Sequence, residues 1–267
     1  DQAQEVHGRT GAPCTSYVVG KLIEQHAPGF AALARNPLFN LESHTYSHQP
    51  LRTIVMESPE YFRRFLAHRA GQPGVDEERG VTCGRFVPVD LVREEIVRTR
   101  ELLRTVCGVE SIGISGPGGY YRGLSDRLDL LQVLWDEGIR FSRCYSRNEH
   151  DFSPVPLEVQ PFWYRAQGFP DLLEIPANDW QDVFWRDFHG WDDVAGYLAH
   201  LKGCLDRVVE RDLVFTYCTH EWSCLEHDPE MSVIRELITY AQDRGVEILT
   251  QRQYYERRLA EKPARAA

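Results

Sequence analysis

His44 and His48 stand four apart in LESHTYSHQP, residues 41–50, directly after a short apolar run. Two imidazoles at that spacing meet on one side of a helical turn and can offer two nitrogen donors to one metal ion. The same spacing also arises between ordinary surface or core histidines, so the surrounding chain has to decide. Three further segments carry residues suited to chemistry: the glycine-rich GPGGYYRG (116–123), NDW (178–180) and THEW (219–222). The glycines serve turn geometry first, with substrate contact through Gly118, Gly119 and Tyr120 as the second reading. His7, His26, His68, His150, His189, His200 and His227 show no partner pattern and read as surface or structural residues.

These candidates gain weight from the elements that must position them. Apolar runs bounded by turn residues predict strands at 13–20, 38–43, 111–115, 139–145, 171–176, 213–218 and 246–250. Helical periodicity predicts helices over 90–108, with Asp90 as N-cap and Gly108 as terminator, and over 126–138, capped by Ser125. Further helices are expected at 191–212 and 231–245, with a polar one at the C-terminus, and Pro28 and Gly29 break helical character between the first two strands. Strands alternating with helices of this length build βα units and a mostly parallel sheet. Ligands of such folds sit at the carboxyl ends of the strands. Four strand ends therefore deliver His44 and His48, the Gly-Pro loop, Asp179 with Trp180, and His220 to one rim. That convergence favours a metal site over ordinary surface or core roles for the histidine pair. Residues 71–89 read as one long loop inserted over a face. No repeat or linker divides residues 1–267, so one domain is expected.

Composition excludes other classes. A formal net charge of -10 without a basic run argues against a nucleic-acid partner. No apolar stretch approaches the ~18 residues that a membrane-spanning helix needs. Seven cysteines, an odd number with no CxxC pair, suggest neither a disulfide framework nor a thiolate zinc site, and lean towards a reducing, cytoplasmic setting. The expected partner is a small-molecule or glycan substrate; homo-oligomer formation is left open. The start DQAQEVHGRTGAPCTSYVVG reads as the tail of a helix running into a strand, so the domain's first strand is expected upstream of Asp1.

The order of these motifs resembles the polysaccharide deacetylase family (NodB-homology domain, carbohydrate esterase family four). SHTYSH resembles its zinc motif, GISGPGGYY its third motif, IPANDW its fourth, and LVFTYCTHEW its fifth, a strand ending in the histidine that acts as general acid. GAPCTSYVVG resembles the family's second strand, and the likeness spans essentially the whole chain. The resemblance implies a distorted (β/α)7-type barrel with parallel strands. It also implies a divalent metal, usually zinc, held by His44 and His48, proton donation by His220, and Asp179 with Trp180 beside the acyl pocket. Asp182 or Trp185 would fill that last place after a loop shift. The family's two aspartates, one a ligand and one the base, have no match here, since only Asp1 and Glu5 precede the first predicted strand as acids. Ser115 stands where the third motif has an arginine. The implied activity is hydrolysis of a carbon–nitrogen amide bond other than a peptide bond, foremost N-deacetylation of an amino sugar or oligosaccharide. The alternatives are a small cyclic amide or ureide hydrolase and a catalytically inactive carbohydrate-binding relative.

Overall fold

The alternation of apolar runs and helical periodicity produces a mostly parallel sheet. A computed structural model describes residues 2–52 and 87–262, with the short strands β3 (Ile54–Val55), β4 (Val75–Asp76) and β5 (Val81–Thr82) between them. Helix Gln2–Thr10 leads into β1 (Cys14–Val18), and helices Gly20–Gln25 and Ala27–Leu33 connect it to β2 (Phe39–Ser43). Pro28 sits in the first turn of the second of these helices, where its missing N–H is tolerated. The long helix Val89–Cys107 precedes β6 (Gly113–Tyr121), and helix Leu128–Asp136 precedes β7 (Phe141–Arg147). After β8 (Phe162–Tyr164) and β9 (Phe169–Glu174) come helices Asp182–His189, Val194–Arg211, Glu221–His227, Ser232–Asp243 and Gln251–Ala260. The main sheet runs β1-β2-β6-β7-β9-β8, parallel except for β8 against β9. A small antiparallel sheet has the order β3-β5-β4. Among the described residues no helix is long and apolar enough to cross a membrane.

Two apolar clusters carry this architecture. Helix Val89–Cys107 buries Val92, Ile96 and Leu103 on one face and ends at Gly108, whose φ of 68° suits a residue without Cβ. Val92 and Ile96 meet Ile114, Leu131 and Leu134 in the core beneath the sheet. Trp180, Phe184, Trp185, Tyr197, Leu201 and Leu237 form a second, aromatic-rich cluster that joins three of the later helices. Two buried carboxylates fasten the strands. Glu42 accepts from the N–H groups of Ile112 (3.0 Å) and Gly113 (2.8 Å), and from Arg252 (2.9 Å). Glu174 accepts from Cys144 N and Tyr145 N, both at 2.6 Å, and from the Tyr164 hydroxyl at 2.7 Å. With their oxygens occupied, both are structural groups.

Several expectations change. Residues 213–218 and 246–250 are not sheet strands. Side-chain amides satisfy the first segment instead: Val214 N donates to Gln160 Oε1 at 2.8 Å, and Thr216 N to Asn178 Oδ1 at 3.2 Å. β6 does not stop at Ser115 but continues through the Gly-Pro segment to Tyr121, with the register against β7 broken between Ser115 and Tyr120. The expected caps also differ. Pro88 occupies the N-cap before Val89, leaving Asp90 in the first turn, and Arg127 precedes Leu128 while the Ser125 hydroxyl donates to Arg122 O. The expected loop at 71–89 lies outside the described residues except for 75–76, 81–82 and 87–89.

Candidate active site

β2 ends at Ser43, and His44 extends its pairing by donating its N–H to Val18 O at 2.9 Å. The two histidines do not share a helical turn as their spacing suggested. Thr45 (φ 60°) and His48 (φ 62°) take left-handed backbone conformations that fold the segment into a tight loop. Glu95 holds that loop, accepting from Ser47 N at 2.7 Å and Ser47 Oγ at 2.8 Å. The imidazoles still meet, with centroids 4.9 Å apart and planes at 69°. His44 Nδ1 lies 2.7 Å from Ser115 O, a contact that requires the proton on Nδ1 and leaves the Nε2 lone pair available. Burial, with the charges of His48 and Arg143, pushes the His44 imidazole well below its usual range; burial and His220 lower His48. Both rings are thus neutral near pH 7, the form that ligates metal. The buried hydroxyls of Ser43 and Thr45, flanking His44, have no partner among the described residues. This donor chemistry fits two corners of a divalent-ion site. Among the described residues no converging group of three ligand-type donors includes the pair.

His220 approaches from another element. It is the residue before helix Glu221–His227, and its ring nitrogen Nδ1 lies 2.7 Å from Asp182 Oδ1. The other carboxylate oxygen accepts from His220 N at 2.9 Å and Thr219 Oγ1 at 3.1 Å. Asp182, fully buried, opens helix Asp182–His189. Burial alone would lower the His220 imidazole, but the Asp182 carboxylate overrides it and holds the group above its ordinary value. Burial likewise opposes the Asp182 charge, and His220 reverses that, so the carboxyl lies below its ordinary range. The result is a His220–Asp182 pair that favours the imidazolium form and lies near enough to lower both His44 and His48. Trp222, half exposed, stands with its ring 6.1 Å from that of His220 and offers an aromatic face at the rim.

The remaining predicted residues go elsewhere. Asp179 is not the partner of His220. Its φ of 58° turns it towards helix Val194–Arg211, where it meets His200 Nε2 at 3.0 Å and accepts from the Cys204 thiol. Asp179, His200 and Cys204 are the group of three ligand-type side chains that converges among the described residues. Arg207 lies 3.2 Å from the sulfur and 3.7 Å from the carboxylate, a fixed positive charge that opposes a second cation there. His200, which showed no partner pattern in the sequence, is therefore a hydrogen-bond partner of Asp179. Trp180 packs against Phe152, Trp185 and Phe188 rather than lining an open cleft. Tyr120, 1% exposed, is also turned inward, its hydroxyl accepting from Leu51 N at 2.6 Å. Gly119 is buried with φ 61°, and a Cβ there would fall 1.7 Å from Ser146 Oγ; Gly118 alone of the three is exposed. Two residues absent from the predicted set matter here. Asp182 is three positions after Asp179 in DWQD and was legible only as the loop-shift alternative. Arg143 looked like an ordinary strand residue in IRFSRCY. A hollow of about 440 Å³ bordered by Arg52, Tyr121, Arg122 and Asp151 opens elsewhere, and none of the three histidines lines it.

Comparison with known proteins agrees with the motif reading. Residues 3–128 match the family model described as Polysaccharide deacetylase, just under half of the chain and including His44 and His48. The resemblance to that family is thereby borne out, and its members are hydrolases of carbon–nitrogen bonds other than peptide bonds. A structure described as a polysaccharide deacetylase from Mycobacterium smegmatis is 18% identical, with a TM-score of 0.64 over 100% of this chain and 79% of that one. Another, from Pseudomonas aeruginosa PAO1, is 15% identical with a TM-score of 0.66, over 99% and 73%. Puue allantoinase is 13% identical with a TM-score of 0.67, over 98% and 72%. The search of curated proteins gave no match. At these identities the likeness establishes the fold, that of polysaccharide deacetylases.

Proposed function

We propose that the protein hydrolyses a non-peptide amide bond with the help of a divalent metal, with N-acyl groups of amino sugars as the first substrate class. The observation that carries this reading is the meeting of the His44–His48 pair with the Asp182-anchored His220 in one neighbourhood. Burial favours the neutral forms of His44 and His48, while the Asp182 carboxylate favours the protonated form of His220. Neutral imidazoles suit a metal, and an imidazolium suits a leaving amine. A divalent ion on His44 Nε2 and His48 would supply Lewis-acid polarisation of the amide carbonyl and a more acidic water. The chain's own groups do the rest. Ser115 O fixes the His44 tautomer. Asp182 orients His220 through Nδ1, so that its Nε2–H is the proton available to the departing nitrogen. Trp222 provides a face for a sugar ring.

A second reading, a small cyclic amide or ureide, is favoured by Ser115. The hydroxyl there takes a hydrogen bond from Arg143 at 2.6 Å, so the guanidinium near the histidines comes from β7 and not from the third motif. The test is release of amine and acid by metal-loaded protein from N-acetylated chitooligosaccharides and from cyclic amides and ureides. Turnover that disappears with chelator and returns with zinc or cobalt is expected. A metal-loaded, folded protein that cleaves neither panel would overturn the proposal in favour of a carbohydrate-binding role.

A further inference from the structure

The hollow that none of the three histidines lines measures about 440 Å³, within the roughly 300–1,000 Å³ of ligand sites. Separate stretches of chain border it, and hydrogen bonds tie each of them to the turn after β6. Arg52 donates to Asp126 at 2.5 Å, Gln167 Nε2 to Ser125 O at 3.3 Å, and Tyr121 N to Asp151 Oδ1 at 3.4 Å. The backbone is bent to make this border. Tyr121 ends β6, and Arg122 (φ 58°) and Gly123 (φ 59°) turn the chain back; beyond β7, Asp151 takes φ 52°. An arginine seldom adopts the left-handed conformation, and it does so only where the surroundings impose it. Arg52 follows His48 by four residues and Tyr121 follows Ser115 by six, so the hollow continues the rim at the carboxyl ends of β2 and β6.

The lining says what fits. Two arginines and two aspartates border the hollow, so a ligand of either charge meets attraction and repulsion together. Arg52 and Asp126 already neutralise each other, and a zwitterion would have to part them. An apolar ligand would leave these groups without hydrogen bonds. Carboxylates, guanidinium groups and the Gln167 amide are satisfied together by a neutral ligand rich in hydroxyls, because each hydroxyl both donates and accepts. The Tyr121 ring, with the Arg122 guanidinium carbon 5.1 Å from its centroid, adds apolar surface suited to the C–H side of a sugar. We propose that this hollow is a non-catalytic saccharide-binding site that takes a neutral sugar unit. Binding there needs neither a metal nor turnover, so it goes beyond the amide-hydrolase reading and does not depend on it.

Calorimetric titration of the metal-loaded full chain with cellotriose, a neutral trisaccharide that has no amide to cleave, is the first arm. The second titrates the full chain carrying both His44→Ala and His48→Ala with cellotriose and with tri-N-acetylchitotriose. Saturable binding is expected in both arms, with a cellotriose Kd that the histidine substitutions leave unchanged. Arg122→Gly should weaken that binding by about 10-fold or more, the range for lost hydrogen bonds to a charged group. Glycine suits the left-handed backbone there, so the Tm of this variant should not fall and the loss cannot be ascribed to unfolding. Gln167→Ala, on another stretch of the border, should weaken binding independently. Binding that the histidine substitutions abolish and Arg122→Gly leaves intact would put the sugar at the metal centre and overturn the site, with the hydrolase reading untouched. Failure of both trisaccharides to bind overturns it as well, as does binding of glycine or glucuronate in their place.

Discussion

Replacing Asp182 by asparagine removes one charge and little volume, and its consequences can be worked from the contacts. The carboxylate accepts from His220 Nδ1 at 2.7 Å, His220 N at 2.9 Å and Thr219 Oγ1 at 3.1 Å. An asparagine oxygen can keep the backbone bond, but the amide nitrogen cannot accept from Nδ1–H. The ring must then change tautomer or lose its anchor. One buried charge-assisted hydrogen bond is worth about 1.5–3 kcal/mol. The His220 side chain is 36% exposed, so solvent screening puts the loss at the lower end, about 1–2 kcal/mol. For a chain of this size that corresponds to a Tm lower by roughly 2–8 °C. The effect on turnover is larger. Without the carboxylate, burial is left as the dominant influence on His220 and its pKa falls, so the proton donor is depleted at neutral pH. Loss of a general acid lowers kcat by about 10²–10⁴-fold. Because the unmodified imidazole titrates above its ordinary value, activity that needs the protonated ring is lost as pH rises through that raised value. In Asp182→Asn this alkaline limb should move to lower pH. The assay is kcat per folded, metal-loaded molecule across pH, with elemental analysis alongside. Undiminished kcat with an unmoved alkaline limb would refute proton donation by His220.

Four further outcomes are expected. His44→Ala combined with His48→Ala should abolish stoichiometric zinc binding, measured by elemental analysis after dialysis, because two neutral imidazoles are lost together. Asp179→Asn should lower stability by about 1–3 kcal/mol through its His200 and Cys204 contacts; kcat per folded molecule should stay close to the unmodified value, in contrast to Asp182→Asn. Gly119→Ala, at φ 61° with Ser146 Oγ 1.7 Å from the new methyl, should cost at least about 1–3 kcal/mol in denaturant unfolding. Acid titration should weaken the fold. Asp179 and Asp182 have carboxyls held below their ordinary range, by His200 and His220 respectively, against burial. Their contribution is present above the unfolded carboxylate pKa and lost as pH falls through the depressed folded values, which Tm against pH would follow.

Much of the scaffold was legible before any coordinates. The apolar runs at 13–20, 38–43, 139–145 and 171–176 became β1, β2, β7 and β9 within a few residues, and the periodic segment at 90–108 became helix Val89–Cys107. A strand or helix that buries one face must repeat its apolar residues at the element's own period, and that repeat is written locally. For the same reason His44 and His48, immediately after a predicted strand, are at a strand end in space. Where local pattern and partner disagreed, the partner won. The run at 213–218 is as apolar as a buried strand, yet Gln160 and Asn178 satisfy its backbone and no ladder forms among the described residues.

By itself, then, the sequence determined the mostly parallel βα order and the delivery of His44, His48 and His220 to ends of apolar segments, because both follow from short-range periodicity. Only the tertiary structure decided which groups these histidines meet. In DWQD, Asp179 and Asp182 have the same chemistry three positions apart. A left-handed backbone turns the first towards His200, and the opening of a helix aims the second at His220, 38 residues away. The pairing of Arg143 with Ser115 likewise depends on two strands lying side by side in one register. Contacts at such separations are set by how faces pack together, and the protonation states that the chemistry needs follow from those contacts.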